Sequence, residues 1–115
     1  MRKNVQVTGA TGGIGRAIAL AFAQRGYGVG VHCCRRIEEA RALAAAIPEK
    51  GGNAFAYQAD VADEGQVEAM AAAAQRDLGF VEVLVNNAGI AWKGLLTDMT
   101  LAEWRRVLDV NCTGA

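Results

Sequence analysis

Short, nearly continuous apolar runs alternate along this chain with longer stretches in which apolar residues recur at helical spacing. Val5-Gln6-Val7-Thr8 is the first run, and it leads into a glycine cluster. Beyond the cluster, Ile14, Ala17, Ile18, Ala21 and Phe22 fall on one helical face, with Arg25 in the last turn and Gly26 as the stop. Val29-Gly30-Val31 reads as a second strand. Ile37, Ala40, Leu43, Ala44 and Ile47 predict a second helix, broken near Pro48 and Gly51-Gly52. Ala54-Phe55-Ala56-Tyr57 is a third strand. Asp63 with Gln66 predicts a capping box opening a helix with Val67, Met70, Ala74 and Leu78 on one face, closed by Gly79. Val81 to Val85 reads as a fourth strand. Thr100 with Glu103 predicts a second capping box, and Leu101, Trp104, Val107 and Leu108 a last helix.

The order is βαβαβαβ with a final helix, which predicts an α/β fold: a doubly wound parallel sheet with helices on both faces. Strands covered on both faces read as apolar throughout, as these do. With 115 residues there is room for one domain at most. Twelve basic residues balance twelve acidic ones, so a nucleic-acid partner, which needs a basic face, is not expected. No apolar run approaches the roughly 20 residues of a membrane helix, and no signal peptide precedes the first strand, so no membrane association is expected. Cys33, Cys34 and Cys112 are odd in number and lack paired metal-type spacing. Together with the lone His32 they read as small half-buried residues of a reduced, cytoplasmic protein with no metal site, since adjacent strand residues point to opposite faces.

Thr8-Gly9-Ala10-Thr11-Gly12-Gly13-Ile14-Gly15 joins the first strand to the first helix, where a doubly wound sheet binds a dinucleotide. Glycine permits a positive-φ turn and keeps side chains away from a pyrophosphate. The helix N-terminus then offers free N–H donors and partial positive charge to that anion. The spacing Gly9, Gly13, Gly15 differs from G-x-G-x-x-G, and a tight turn with close helix–strand packing is the plainer alternative.

Strand four ends in Asn86-Asn87-Ala88-Gly89. T-G-x-x-x-G-x-G and N-N-A-G at these positions resemble the short-chain dehydrogenase/reductase family, from Val5 to Ala115. Gly-Ile-Gly-Arg-Ala-Ile at 13–18, Gln-Ala-Asp-Val at 58–61, Val-Leu-Val-Asn-Asn-Ala-Gly-Ile at 83–90 and Glu-Trp-Arg-Arg-Val-Leu-Asp-Val-Asn at 103–111 look most like its bacterial 3-oxoacyl-[acyl-carrier-protein] reductase group. The resemblance implies a Rossmann-type sheet. It also implies a pyrophosphate turn at Gly9, Gly13 and Gly15, with Ala10, Thr11 and Gly12 on the adenosine side and Ile14 among the cofactor-binding residues. Asp60 and Val61 would contact adenine, and Asn87, Ala88 and Gly89 the adenosine ribose. Taken alone, Asp60 reads rather as a carboxylate leading into a helix, and Asn86 and Asn87 are equally amides tying strand four to its neighbours.

In this fold an acid after strand two selects NAD(H). Here that position reads His32-Cys33-Cys34-Arg35-Arg36. Arg35 and Arg36 suit a 2′-phosphate, so NADP(H) is expected over NAD(H). Gly12 departs from the arginine that many NADPH-dependent members carry there. The alternative for the two arginines is a solvated basic start to helix two.

Family catalysis uses a serine, a tyrosine whose pKa a lysine lowers, and an asparagine that organises a proton-relay water. Asn111 matches that asparagine; its plainer alternative is a polar residue in a helix kink. The serine and Tyr-x-x-x-Lys do not occur: Tyr27 and Tyr57 are each followed four residues on by Val. The resemblance therefore implies the N-terminal cofactor-binding part, residues 1–115, of one truncated reductase domain, inactive alone. The resemblance implies a homo-oligomeric full form, a tetramer, reducing a small carbonyl compound or an acyl-carrier or CoA thioester. An elongation factor P 5-aminopentanone reductase or acetoacetyl-CoA reductase relative is the alternative, the stretch Leu95 to Thr100 favouring the former. A non-catalytic nucleotide-binding or dimerising module is the alternative of another class.

Overall fold

The computed structural model describes residues 2–47 and 53–115; the helix break expected at Pro48 and Gly51-Gly52 lies outside them. Four parallel strands, β1 (Asn4–Val7), β2 (Gly28–Cys33), β3 (Ala54–Gln58) and β4 (Val83–Val85), form one sheet in the order β3-β2-β1-β4. Helices α1 (Gly13–Gln24), α2 (Ile37–Ala46) and α3 (Glu64–Leu78) connect them, so the fold is a doubly wound α/β sheet of Rossmann type. A short 3-10 turn (Leu96–Asp98), helix α4 (Leu101–Leu108) and one π-helical turn (Asp109–Thr113) follow β4.

The β1–β2 register pairs Val5 with Val29 and Val7 with Val31. These four side chains are completely buried, packing with Ala19 and Ala23 of α1 and Leu43 of α2. Successive strand residues alternate faces, so Asn4, Gln6 and His32 point to the opposite side of the sheet. There Tyr57, Ala59, Met70 and Ala74 make a smaller cluster beneath α3. Both faces are covered at β1 and β2, which is why these strands read as apolar in sequence.

Local signals behave unequally. Thr100 and Glu103 form the reciprocal capping box, Thr100 Oγ1 accepting from Glu103 N at 3.1 Å and Glu103 Oε1 from Thr100 N at 2.9 Å. At α3 only half of the expected box exists. Asp63 Oδ1 accepts from Gln66 N at 3.2 Å, but Gln66 Oε1 takes the N–H of Asp60 at 2.8 Å instead of that of Asp63. The Asp63 N–H is already used by the Asp60 carbonyl at 2.9 Å. Strand β4 begins two residues later than the apolar run suggests. Val81 packs into the Tyr57–Met70 cluster, and the Glu82 carboxylate accepts the Asn4 N–H at 3.2 Å before strand pairing starts.

Candidate functional site

The C-terminal ends of β1, β2 and β4 frame an open cleft of about 720 Å³. Gly9, with φ of 63°, turns the chain out of β1, and a Cβ there would lie 2.9 Å from the Ala88 Cα. Gly15 sits in the first turn of α1, where a Cβ would come within 2.3 Å of the Gly9 carbonyl oxygen. Packing therefore accounts for glycine at both positions. It does not account for Gly12 or Gly13. Gly12 has φ of −78°, and a Cβ on Gly13 would meet no atom of the chain within 4 Å. Both line the cleft. Glycine at these two places leaves backbone bare toward the space where a ligand would lie. The α1 N-terminus has no side-chain cap and no acid in its first turn. Its ladder of hydrogen bonds begins with Arg16 N donating to Gly12 O at 2.9 Å. The preceding N–H groups are the donors an anion uses at a helix start.

A polar seam holds this turn against β4. Thr8 Oγ1 accepts from Asn87 N at 3.0 Å and Ala88 N at 2.9 Å, and donates to Val85 O at 3.3 Å. The Asn87 side-chain amide donates to Thr8 O at 3.0 Å and Gly9 O at 3.1 Å. Asn87 is thus a tie between strands as well as a cleft residue, alongside Ala88 and Gly89.

The other wall comes from β2 and β3. His32 is buried at the end of β2, its Nδ1 accepting from Gly9 N at 2.9 Å and its Nε2 lying 2.8 Å from Ala59 O. Beyond it Arg35 and Arg36 line the cleft, Arg36 in a loose 3.7 Å pair with Glu39. Asp60 and Val61 line it after β3. The Asp60 carboxyl is held below the usual range, first by the Ala62 N–H at 3.0 Å and then by Arg106, which reaches Oδ2 at 3.0 Å. That ion pair raises Arg106 in turn and ties α4 to the β3 end.

Two residues expected at the site stand apart from it. Ala10 is completely buried in the core and does not line the cleft, because its N–H is drawn to His32 O at 2.9 Å. Asn111, in the π turn, lies behind the lining. Its side chain brackets Ile90, accepting from the N–H and donating to the carbonyl, both at 2.8 Å. Tyr57 is turned away under α3. Its hydroxyl donates to Asp77 Oδ2 at 2.9 Å, and burial pushes the phenol's pKa up, the opposite of what a proton donor to a carbonyl requires.

Sequence reasoning did not single out His32, Cys34, Ile90, Arg106 and Val110 among the cleft-lining residues, nor the Thr8 hydroxyl that braces the turn from behind. Only Thr8 carried a local signal, its place directly before the glycine turn.

The sequence model described as short chain dehydrogenase matches residues 3–115. The chain belongs to the short-chain dehydrogenase family, a family of oxidoreductases. It is 46% identical over 114 residues to a 3-oxoacyl-[acyl-carrier-protein] reductase of Staphylococcus aureus (strain Mu50), covering 99% of this chain and 46% of the relative. It is 43% identical over 108 residues to the corresponding reductase of Synechocystis, covering 94% of this chain and 44% of the relative. A short-chain dehydrogenase from Burkholderia cenocepacia, solved in complex with NADP, superposes with a TM-score of 0.93 at 38% identity, over 97% of this chain and 46% of that one. A metagenomic short-chain oxidoreductase, also solved with NADP, gives 0.88 at 35% identity, over 97% and 50%. The chain thus spans under half the length of the curated relatives it matches.

Proposed function

We propose that residues 1–115 are the cofactor-binding part of a single-domain NADPH-dependent ketoreductase whose substrate is a 3-oxoacyl thioester. The observation that carries this reading is the uncapped α1 N-terminus, with Gly12 and Gly13 open to the cleft where neither strain nor packing requires glycine. In this reading the turn from Gly9 to Gly15 holds the pyrophosphate, and Arg35 and Arg36 hold the 2′-phosphate by charge-assisted hydrogen bonds. Arg36 supports this from its place at the N-cap of α2, where a cation opposes the helix dipole. Asp60 and Val61 face adenine, and Gly89 with its neighbours faces the ribose. When bound, the cofactor supplies hydride to a carbonyl carbon. Asn111, fixed on Ile90, serves the proton relay, and the acid itself comes from residues outside this chain. The thioester substrate is inferred from the likeness to the 3-oxoacyl-[acyl-carrier-protein] reductases of Staphylococcus aureus and Synechocystis, and the working form is proposed as a homo-oligomer.

Calorimetric titration with NADP+ and NAD+ tests the cofactor assignment. Wild type should bind NADP+ more tightly. Arg35→Ala with Arg36→Ala should weaken NADP+ selectively, since a hydrogen bond to a charged group contributes about 1.5–3 kcal/mol. Equal losses for both dinucleotides overturn the assignment.

A further inference from the structure

His32 makes two hydrogen bonds of opposite sense. Gly9 N–H can only donate, so Nδ1 carries a lone pair; Ala59 O can only accept, so Nε2 carries the proton. The geometry therefore specifies one tautomer of one protonation state. Imidazolium would set an Nδ1–H against the Gly9 N–H.

The same residue anchors both walls of the cleft. The His32 carbonyl accepts from Ala10 N at 2.9 Å, and the adjoining Cys33 carbonyl accepts from Ala59 N at 3.0 Å. The Gly9 peptide units are consequently oriented from two sides. The N–H is aimed at His32, while the carbonyl is taken by Asn87 Nδ2 at 3.1 Å and Gly12 N at 3.3 Å. The start of α1 follows four residues later, so the direction of its free N–H groups depends on how Gly9 is held.

We propose that neutral His32, as the Nε2–H tautomer, is a positioning residue for the dinucleotide turn, and that its protonation weakens dinucleotide binding. This rests on the cofactor reading above. Burial favours the uncharged ring, with the Ala59 carbonyl pulling the other way, so the folded-state pKa lies below the ordinary value. An unfolded chain takes up this proton near pH ~6.5. The folded ring is therefore neutral above that pH, and its hold on the turn is lost as pH falls through the lowered folded-state value. The charged and titratable side chains nearby are Cys34, Arg35 and Arg36 after β2, Asp60 after β3 and Arg106 on α4. Tyr57, paired with His32 across β3, adds a phenol pushed up by burial and bonded to Asp77. Asp60 is held ionised by Ala62 and Arg106.

The test measures NADP+ and NAD+ affinity from pH ~8 downward, through the pH at which the ring 15N shifts show His32 taking up its proton, for the full chain and for His32→Asn and His32→Leu. The two dinucleotides separate ring titration from titration of the 2′-phosphate. Ring 15N shifts report the tautomer directly. Wild type should show the Nε2–H form at pH 7.5, and affinity for both ligands should fall on acidification, by at most about tenfold per pH unit for one proton. Asparagine retains an acceptor near the Nδ1 position without titrating. It should bind within about threefold of wild type at pH 7.5 and lack the acid fall. Leucine leaves Gly9 N–H unpaired and should bind about tenfold more weakly with a flat profile. Parallel profiles for wild type and His32→Asn overturn the His32 proposal alone. So does a ring that averages freely between tautomers, as it would in a chain that does not fold. Absence of binding at every pH overturns the cofactor reading, with the ring spectrum still reporting whether His32 forms the strut.

Discussion

Val5 and Val7 of β1 and Val29 and Val31 of β2 are wholly inaccessible, whereas Leu84 of β4 is 58% exposed and Trp104 of α4 is 50% exposed. The two regions differ little in apolar content. They differ in how many layers cover them. The β1–β2 region has α1 and α2 on one face and α3 on the other. At β4 the sheet stops, and α4 has no buried residue even though Leu101, Trp104 and Leu108 recur at helical spacing. An apolar side chain marks a surface to be covered; only the neighbouring element decides whether it is covered. Helix α4 is held instead by polar ties: its capping box, the Arg106–Asp60 pair, and the bond from the Trp92 indole N–H to Glu103.

Truncating a side chain in each region should separate them most widely. Leu43→Ala, in the closed core, should cost about 2–5 kcal/mol of unfolding free energy. Leu108→Ala, 44% exposed, should stay within about 0.5 kcal/mol. Paired urea melts check this, and comparable losses would show that α4 is packed in solution as tightly as α2.

This contrast also explains what was legible in the sequence. The strand and helix order and the glycine turn are encoded by neighbours in the chain, so pattern and turn chemistry suffice to read them. The Thr100–Glu103 box is likewise local. The Asp63–Gln66 signal was half misread because Gln66 found a competing donor in Asp60 N, a contact set by how the β3 end approaches α3. His32 was the larger miss. A lone histidine in an apolar strand looks unremarkable, and its partners are backbone atoms 23 and 27 positions away that no side-chain pattern announces. Arg106 and Asp60, 46 residues apart, belong to the same class. Long-range polar ties, whether they end on main chain or on another side chain, leave no periodic trace.

Thr8 lies where the two regions meet, so it is the place to uncouple them. Thr8→Val keeps the shape but leaves Ala88 N without its acceptor and Asn87 N with the Val85 carbonyl alone, at a cost of about 1–3 kcal/mol. Hydrogen exchange should show which side responds. Amides around β4 and residues 87–90 should lose protection while Val29 and Val31 keep theirs. A uniform loss would mean that the sheet opens as one cooperative unit.

The smallest expected change in stability comes from Leu84→Lys. Leu84 pairs in register with Gln6 and so projects on the α3 side of the sheet, where at β4 no helix closes over it. A lysine stem can lie along that surface while its ammonium stays in water, so unfolding free energy should move by less than about 0.5 kcal/mol. Solution behaviour should change more. A chain of zero formal charge with an exposed sheet edge is prone to associate, and the substitution adds a cation at that edge. Sedimentation at rising concentration, with binding of a hydrophobic dye, should show less self-association and less dye uptake than wild type. If the lysine instead destabilises the chain by several kcal/mol, Leu84 is covered in solution, and the β4 region is as closed as the β1–β2 core.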